Sequence, residues 1–468
     1  MAIDQTPRLT VAIVGAGLGG LALAIALEKY APDVAFDIYD AVAELSTAGA
    51  GIGMQPRTWL TIKELGLEDA LLKIAGNGDK PKLKMLFRKA DQREGSTTFH
   101  EAFDGADHFA TFHRSELQKV FLEHIRAKDR LHLSKRFVSY TQPVGPDGQV
   151  QVHFADGTSV TCDVLVGCDG IKSRVRSALY TQLSDAAQAR GRHEQAEELR
   201  SCIAPVFSGL VVYRGVITRG DYKGKERPLN DSNFMMYCGK NRHLVAYPIM
   251  QGSERLLNIS AIVTTPQEPG TLYRGPWTVD VTREEATSFF SGWEPEVEDI
   301  LERMEVHTWN RWAVNMVKDL PTFVSGGVVL LGDAAHAMTM HQGAGAGQGL
   351  EDATMLARLL GEPTVNRAAL PLALKVYDEE RRPLVQQVAA RSFQSGNLQM
   401  FNVPELFEVT EELSASGEGL SPEQLRKVGD DIERLKEWQK VASVVNAHEI
   451  AVQKLKEELA EKHSPSQT

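Results

Sequence analysis

Thr10-Val11-Ala12-Ile13-Val14-Gly15-Ala16-Gly17-Leu18-Gly19-Gly20 is the stretch from which the fold is read. Thr10–Val14 is a short apolar run of the kind that forms a buried parallel strand, and Leu21–Leu27 continues as an Ala/Leu-rich helix. Val34–Tyr39 is a second β-branched and aromatic run, ending at Asp40, twenty residues beyond Gly20. Strand, Gly-x-Gly-x-x-Gly, helix, strand and acid in that order form a dinucleotide-binding unit. Gly15 permits the tight turn, Gly17 lacks the Cβ that would hold a pyrophosphate off the backbone, and Gly20 lets helix and strand lie close. The helix N-terminus then offers free N–H groups to the phosphates. Asp40 is placed to accept from adenosine ribose hydroxyls, which suits FAD or NAD; the motif alone does not choose between them.

The chain's 468 residues exceed one compact core and suggest two or three domains. An apolar content of 43% and a charged content of 24% are those of a soluble globular protein. A net charge of −11 argues against nucleic acid or an anionic membrane as the main partner. Cys162, Cys168, Cys202 and Cys238 fit no zinc spacing and no secreted disulfide framework, so no metal is expected. The mostly polar residues ahead of the first strand carry no signal-peptide pattern, and Ser464–Thr468 matches no targeting signal. Apolar runs such as Val328–Leu331 are too short to span a bilayer. A cytoplasmic protein, monomer or homodimer, is expected.

Beyond Asp40, Ala48-Gly49-Ala50-Gly51-Ile52-Gly53 is a small-residue loop whose backbone, at Ala50 and Gly51, could lie against a flat cofactor. A helical pattern follows through Trp59, Ile62 and Leu65. Arg114 stands before an expected helix, Glu116–Arg126, with Ser115 and Gln118 as a capping box. Val150–Phe154 and Ser159–Val166 flank Asp156-Gly157 as a hairpin, and the second strand leads into Asp169-Gly170 and a basic helix start. Leu183–Arg200 is polar and helix-prone, an exposed insertion or linker. Gly209–Ile217, Asn233–Cys238, His243–Met250 and Leu256–Val263 are spaced like an antiparallel sheet. Gly327–Leu331 is another buried strand, ending in Gly332-Asp333; a Gly/Ala run, His341 to Gln348, then opens a helix from about Leu350. In the tail, Ser421–Gln424 is a helix start, and Leu425, Val428, Ile432, Leu435, Trp438 and Val441 form one apolar stripe that packs on the body or on a second subunit. Asp378 to Arg382 are expected to form salt bridges on a helix surface.

Four motifs stand in order: Gly-x-Gly-x-x-Gly with Asp40, Arg114 at a helix start, Asp169-Gly170, and Gly332-Asp333 before a Gly/Ala-rich helix. From about Thr10 to Pro383 the chain resembles the single-component FAD-dependent aromatic hydroxylases. AGAGIGMQPRTW, GLVVYRG, HLVAYPI and GDAAHAMTMHQGAGAGQGLEDA look most like their salicylate-hydroxylase-like branch. The resemblance implies an α/β fold: a Rossmann-like FAD-binding domain (1–80, 107–182 and 310–400), a mainly antiparallel β-sheet substrate domain (81–106 and 183–309), and a helical C-terminal extension (401–468). It implies that Gly15, Gly17, Gly20 and Asp40 bind the ADP half of FAD and that Arg114 contacts the ribityl or phosphate region. Asp169-Gly170 would meet both FAD and the incoming nicotinamide nucleotide. Asp333 would bond the ribityl chain, and Gly345, Ala346, Gly347 and Gln348 would face the isoalloxazine ring.

The implied activity is NADH- or NADPH- and O₂-dependent hydroxylation of a phenolic acid through a flavin hydroperoxide, expelling CO₂ if the substrate is of the salicylate type. The protein must place the ring, increase its phenolate character and exclude water. His341 is the candidate for proton handling, with hydrogen bonding of the loop backbone as the alternative role. Arg214 could hold a carboxylate or phenolate, or else pair with an acid at the sheet edge. Tyr237 and His243, on neighbouring strands, are further candidates; His336 reads as structural. Asp40 replaces the Glu of many relatives, and Met340 a frequent Pro. There is no second Gly-x-Gly-x-x-Gly, so the reductant would bind transiently. Rival readings are a monooxygenase that dearomatises or epoxidises a larger natural product, a flavin dehydrogenase or oxidase, and a non-catalytic FAD-binding protein.

Overall fold

Leu9–Val14 lies at the centre of a six-stranded sheet, paired in parallel with Val34–Tyr39 on one side and Val164–Gly167 on the other. Val328–Leu330 extends the sheet in parallel. This computed structural model describes residues 7–45, 51–75, 83–102, 109–142, 148–218, 233–304, 309–439 and 444–463. Ala50 and Val441 lie outside the described residues. Strands buried on both faces need continuous apolar runs, which is why Leu9, Val11, Ile13 and Val14 are all in the core. The helices Leu18–Tyr30 and Gly345–Gly361 pack together in that core.

The expected hairpin is present, with Gly157 at φ +83°, but its second strand is split. Ser159–Cys162 stays with the hairpin, whereas Val164–Gly167 joins the central sheet. Asp163 at the junction accepts from the Thr10 backbone N–H at 2.8 Å and from Arg367 at 2.6 Å.

The second body is an eight-stranded sheet. Its middle is antiparallel, in the order Asn310–Met316, Val206–Thr218, Glu254–Thr264, Arg242–Gln251, Phe234–Gly239. Met85–Lys89 then pairs in parallel with Phe234–Gly239 and antiparallel with Thr97–Ala102. Two stretches pack differently from the expected division. The helices Arg174–Ala189 and His193–Ser201 bury Leu179, Ala187, Ala196 and Leu199 in the first core, so they are not an exposed linker. Asn310–Met316 belongs to the second sheet, not to the nucleotide-binding unit.

The helix Leu370–Gln399 runs through Pro383 without ending. Ser421 and Gln424 form the expected reciprocal capping box of the helix Pro422–Lys436. Leu425, Val428 and Ile432 bury that helix on the second sheet, while Ala451, Leu455 and Leu459 bury the helix Val444–His463 on the first core. The tail packs on its own chain and touches both bodies.

Candidate active site

The Gly-rich turn is shaped by close approach. Gly15 has φ +112°, and a Cβ there would come within 2.4 Å of the Cys168 carbonyl oxygen; a Cβ on Gly20 would come within 2.0 Å of the Gly15 carbonyl oxygen. Gly17 has nothing within 4 Å of its Cβ position. The helix it opens has no side-chain cap and no acid in its first turn, so its N–H groups are left for an anion. Asp40 accepts from the Ala16 N–H at 2.7 Å and the Val42 N–H at 3.0 Å, bracing the turn from behind. Each carboxylate oxygen retains capacity for a further bond.

Gly51–Met54 pairs with Ala110–His113, which runs straight into the helix Arg114–His124. That helix begins at Arg114 with His113 as its cap, two residues earlier than expected. Ser115 and Gln118 form no capping box: Ser115 bonds His113 Nδ1 at 2.8 Å, and Gln118 donates to the Ala16 carbonyl at 2.8 Å. The Asp169 carboxylate turns to the start of the helix Arg174–Ala189, accepting from the Arg174 and Val175 N–H groups at 2.7 and 3.2 Å. Gly170, at φ +73°, is the part of that pair that borders the cavity described next.

A cavity of about 410 Å³ joins the two bodies. Gly17, Gly51, Arg114, Asp333, Gly345 and Ala346 border it from the nucleotide-binding side. The helix Gly345–Gly361 starts five residues earlier than expected, at the Gly/Ala run itself. Gly347 does not face the cavity: a Cβ there would meet Thr58 Oγ1 at 2.1 Å, so this glycine serves helix packing. Gln348 also turns inward, bonding Glu351 and Arg381.

The floor is one face of the eight-stranded sheet. Register aligns Arg214, Ser260, Val245, Met236 and Phe87 in one transverse row. Val212, Ile262, His243 and Cys238 lie two residues away on the same face. The row between them, Tyr213, Ala261, Leu244 and Tyr237, faces the other way because side chains alternate along a strand. Tyr237 is therefore not in the cavity. It is buried among the helices of the far face beside Glu294 and Glu296, where burial and then those carboxylates push its phenol well up.

His341 and His243 face each other across the cavity with ring centroids 5.2 Å apart. Neither ring makes a hydrogen bond of normal geometry, and both are buried. Burial pushes His341 down to about 4, opposed by the Ser392 backbone, and pushes His243 well below its ordinary value, helped by His341. The seat of His341 is cut by Gly396: a Cβ there would reach the imidazole at 2.6 Å. Arg214 lies over the Trp312 ring at 5.3 Å, with its Nε buried and without a partner. Burial lowers its guanidinium pKa, Tyr247 opposes and nearby Arg114 adds to the lowering.

Behind the cavity lies a buried charge network. Asp352 accepts from Arg381 Nε and meets His336 Nε2, both at 2.6 Å, and also accepts from the Gly332 N–H at 3.0 Å. Burial opposes ionisation of Asp352, but His336 and Arg381 outweigh it and hold the carboxyl below its usual range. His336 is thus structural, and Arg381 sits in the core instead of forming a surface bridge; Asp378 and Arg382 do pair, at 3.1 Å. By gripping Gly332, the network holds the loop that presents Asp333.

Lys436 was not legible as a site residue, yet it is buried and borders the cavity. The available signal was its spacing, since it follows Leu425, Val428 and Ile432 on the buried side of their helix.

A family profile described as "FAD binding domain" matches residues 8–193 and 260–392. A salicylate hydroxylase of Pseudomonas putida is 32% identical over 425 residues, covering 89% of this chain and 90% of that one. An FAD-dependent monooxygenase, str9, of Strobilurus tenacellus is 31% identical, covering 85% of this chain and 89% of its own. A solved structure described as a salicylate hydroxylase substrate complex superposes with a TM-score of 0.76 at 27% identity, covering 96% of this chain and 99% of that one.

Proposed function

The chain belongs to the FAD binding domain family and is an FAD-dependent monooxygenase of the salicylate hydroxylase type; from that premise we propose that it hydroxylates a phenolic acid at the expense of NADH or NADPH. The observation that carries this reading is the facing pair His243 and His341. Two buried imidazoles without hydrogen-bond partners stand over an apolar floor, in a cavity continuous with the nucleotide cradle.

The residues present fit FAD. Open space at Gly17 and an uncapped, acid-free helix start suit the pyrophosphate. Gly15, Gly20 and Asp40 shape that turn for the ADP half, and Arg114 and Asp333 border the path to the ring. Gly170 and Gly51 complete the walls, and Gly345 and Ala346 stand at a helix N-terminus that would favour negative charge on a reduced ring. When bound, FAD supplies the redox chemistry and the activation of O₂.

The chain's own residues place and activate the ring. Burial keeps His341 neutral at neutral pH, so its free ring nitrogen accepts a hydrogen bond from a phenol and raises electron density on the ring carbons. Met236, Val245 and Ile262 give the ring a dry surface. Arg214 is a cationic contact at the Arg114 end of the cavity. For an ortho-hydroxybenzoate, oxygenation at the carboxylated carbon breaks the C–C bond and releases CO₂. Salicylate, O₂, NADH and two protons would give catechol, CO₂, NAD⁺ and water.

The test is oxidation of NADH and NADPH by the FAD-loaded protein with a panel of phenolic acids, salicylate first, following O₂ uptake, CO₂ and product. Stimulated oxidation with one CO₂ per catechol supports the decarboxylating reading. Ring hydroxylation without CO₂ keeps the phenolic-acid reading and removes decarboxylation. If no simple phenolic acid stimulates a flavin that larger phenols do stimulate, the substrate class is wrong.

A further inference from the structure

His341 stands on neither helix nor strand. It belongs to the turn between the helices Asp333–His336 and Gly345–Gly361, where the Gly343 N–H donates to the Met340 carbonyl at 2.9 Å. A segment of this kind takes its position from the elements that grip it. On one side lies the helix Leu370–Gln399. Its Ser392 Oγ donates to the Thr339 carbonyl at 2.6 Å, and Gln342 Nε2 donates to its Ser395 at 2.7 Å. Gly396 of the same helix leaves room for the imidazole of His341.

On the other side lies the single turn Glu437–Gln439 of the C-terminal extension. Trp438 Nε1 donates to Gln342 Oε1 at 3.0 Å, and Gln439 Nε2 donates to the same oxygen at 3.2 Å. Gln439 Nε2 also donates to the Gln342 carbonyl at 2.9 Å, which Gln55 meets at the longer distance of 3.3 Å. Gln342 and Gln439 are both buried, so solvent does not stand in for these donors. The Trp438 ring lies over Arg57, with the guanidinium 5.7 Å from its centroid. Arg57 in turn pairs with both oxygens of Glu351, at 2.9 and 3.0 Å, on the helix whose start borders the cavity. The turn therefore holds the loop of His341 and that helix together. A proton-handling group must come within about 2.6–3.2 Å of its partner, and a misplacement of about 1 Å can cost about 10²-fold. A loop released at Gln342 carries the neighbouring His341 with it.

We propose that the Trp438–Gln439 turn is a positioning device for His341, acting through Gln342, and that the C-terminal extension thereby sets how much of the NADH consumed ends in hydroxylated product. The inference rests on the reading of His341 as the acceptor of the substrate phenol. With the imidazole in place, the phenol is held and the activated ring takes the oxygen atom. With the imidazole displaced, the ring is a poorer acceptor, and NADH, O₂ and one proton give NAD⁺ and hydrogen peroxide instead. Trp438 and Gln439 act through the loop and touch no reacting atom.

The test uses the full-length, FAD-loaded enzyme with salicylate, reading kcat, KM, the ratio of product to NADH consumed, FAD retention and melting temperature. Q439L and W438F each remove a donor to Gln342 and leave an apolar side chain. Each should lower kcat about tenfold and cut the product ratio by about half or more, with KM and FAD retention changed by no more than about twofold. The same changes are then made in H341A. There neither should lower kcat or the ratio further by more than about twofold, because the group they position is gone, while the drop in melting temperature should persist. A lower melting temperature with kcat and the ratio unmoved makes the turn a fastening only and overturns the inference. Kinetic losses that add in full to those of H341A overturn it as well, and both results leave the reading of His341 intact. If Q439L does not fold, W438F, which keeps an aromatic ring beside Arg57, asks the same question alone. An H341A enzyme that matches wild type, or a wild type that salicylate does not stimulate, overturns the reading of the site and this inference with it.

Discussion

Alternate residues of the same strands build the two faces of the eight-stranded sheet. One face turns Tyr213, Leu244 and Tyr237 into two short helices, Arg283–Ser288 and Pro295–Arg303, where Phe290, Trp293 and Val297 close over them. The other turns Arg214, His243 and Met236 to the cavity. Burial is comparable on both, and both carry polar groups without a bonded partner; what differs is what surrounds them. On the packed face Tyr213 donates to Glu285 at 3.0 Å, whereas the Tyr237 hydroxyl, near Glu296, and Trp309 Nε1 have no partner of normal geometry. His243 and His341 have no bonded partner of normal geometry, and neither has Arg214 Nε. Leaving such a group unmet costs about 1–3 kcal/mol; His243, His341 and Arg214 gather theirs around one hollow, whereas those of the opposite face are covered by packed helices.

The largest expected difference between the faces is kinetic. H341A should lower kcat/KM by about 10²–10⁴-fold, the usual worth of a positioned acid–base group, while leaving the melting temperature nearly unchanged. Steady-state oxygen uptake on whichever substrate is accepted checks it; a loss below about tenfold would break the assignment of the cavity face as the reacting face. On the packed face Y237A should do the reverse. Removing a fully buried aromatic should cost about 3–5 kcal/mol of unfolding free energy in urea, with KM unchanged in the folded fraction.

The Gly-rich cradle was legible because its requirements are local. Gly15 and Gly20 are dictated by carbonyl oxygens that leave no space for a Cβ, and such constraints recur at fixed spacing along the chain. Arg214 and His341 were reachable through resemblance and do border the cavity. Tyr237 was misplaced because one residue of register decides which face a strand side chain takes, and a continuous apolar run such as Met235-Met236-Tyr237-Cys238 carries no alternation to reveal it. Gly347 was misplaced because a Gly/Ala helix start serves cofactor approach and helix packing alike, and only the position of Thr58 separates them. Lys436 escaped because its meaning depends on Met85 and Phe87, some 350 residues away in sequence. Arg381 reads as a surface residue until Glu351 and Asp352 are seen on the facing helix.

Acid titration sharpens the comparison next. The ordinary histidine pKa is 6.5, and His341 is held at about 4 in the folded chain. Between those values the unfolded chain binds a proton that the folded chain refuses. The contribution is therefore complete above pH 6.5, declines as pH falls toward 4 and declines no further below it, amounting to up to about 3 kcal/mol. His243 acts in the same direction. Urea unfolding of wild type and H341L from pH 7.5 to 4 should show the variant losing less stability on acidification. Parallel curves would mean that His341 is met by a bonded partner in solution, which would remove it from the set of groups awaiting a ligand.

The smallest expected effect is the most direct test of register. Y237F removes only the phenol oxygen, which lies on the packed face near Glu296. Stability should change by no more than about 1.5 kcal/mol, since the buried hydroxyl has no bond of normal geometry to lose. Neither kcat nor KM should move, because the row carrying Tyr237 points away from the one carrying Arg214 and Met236. Tyrosine hydroxyls commonly orient phenolic ligands, so a tyrosine facing the cavity would lose turnover on this change. A fall in kcat of about tenfold or more in Y237F, with folding intact, would mean that the strand Phe234–Gly239 sits one residue out of register. That slip would also withdraw Met236 from the floor and exchange the two faces at this strand.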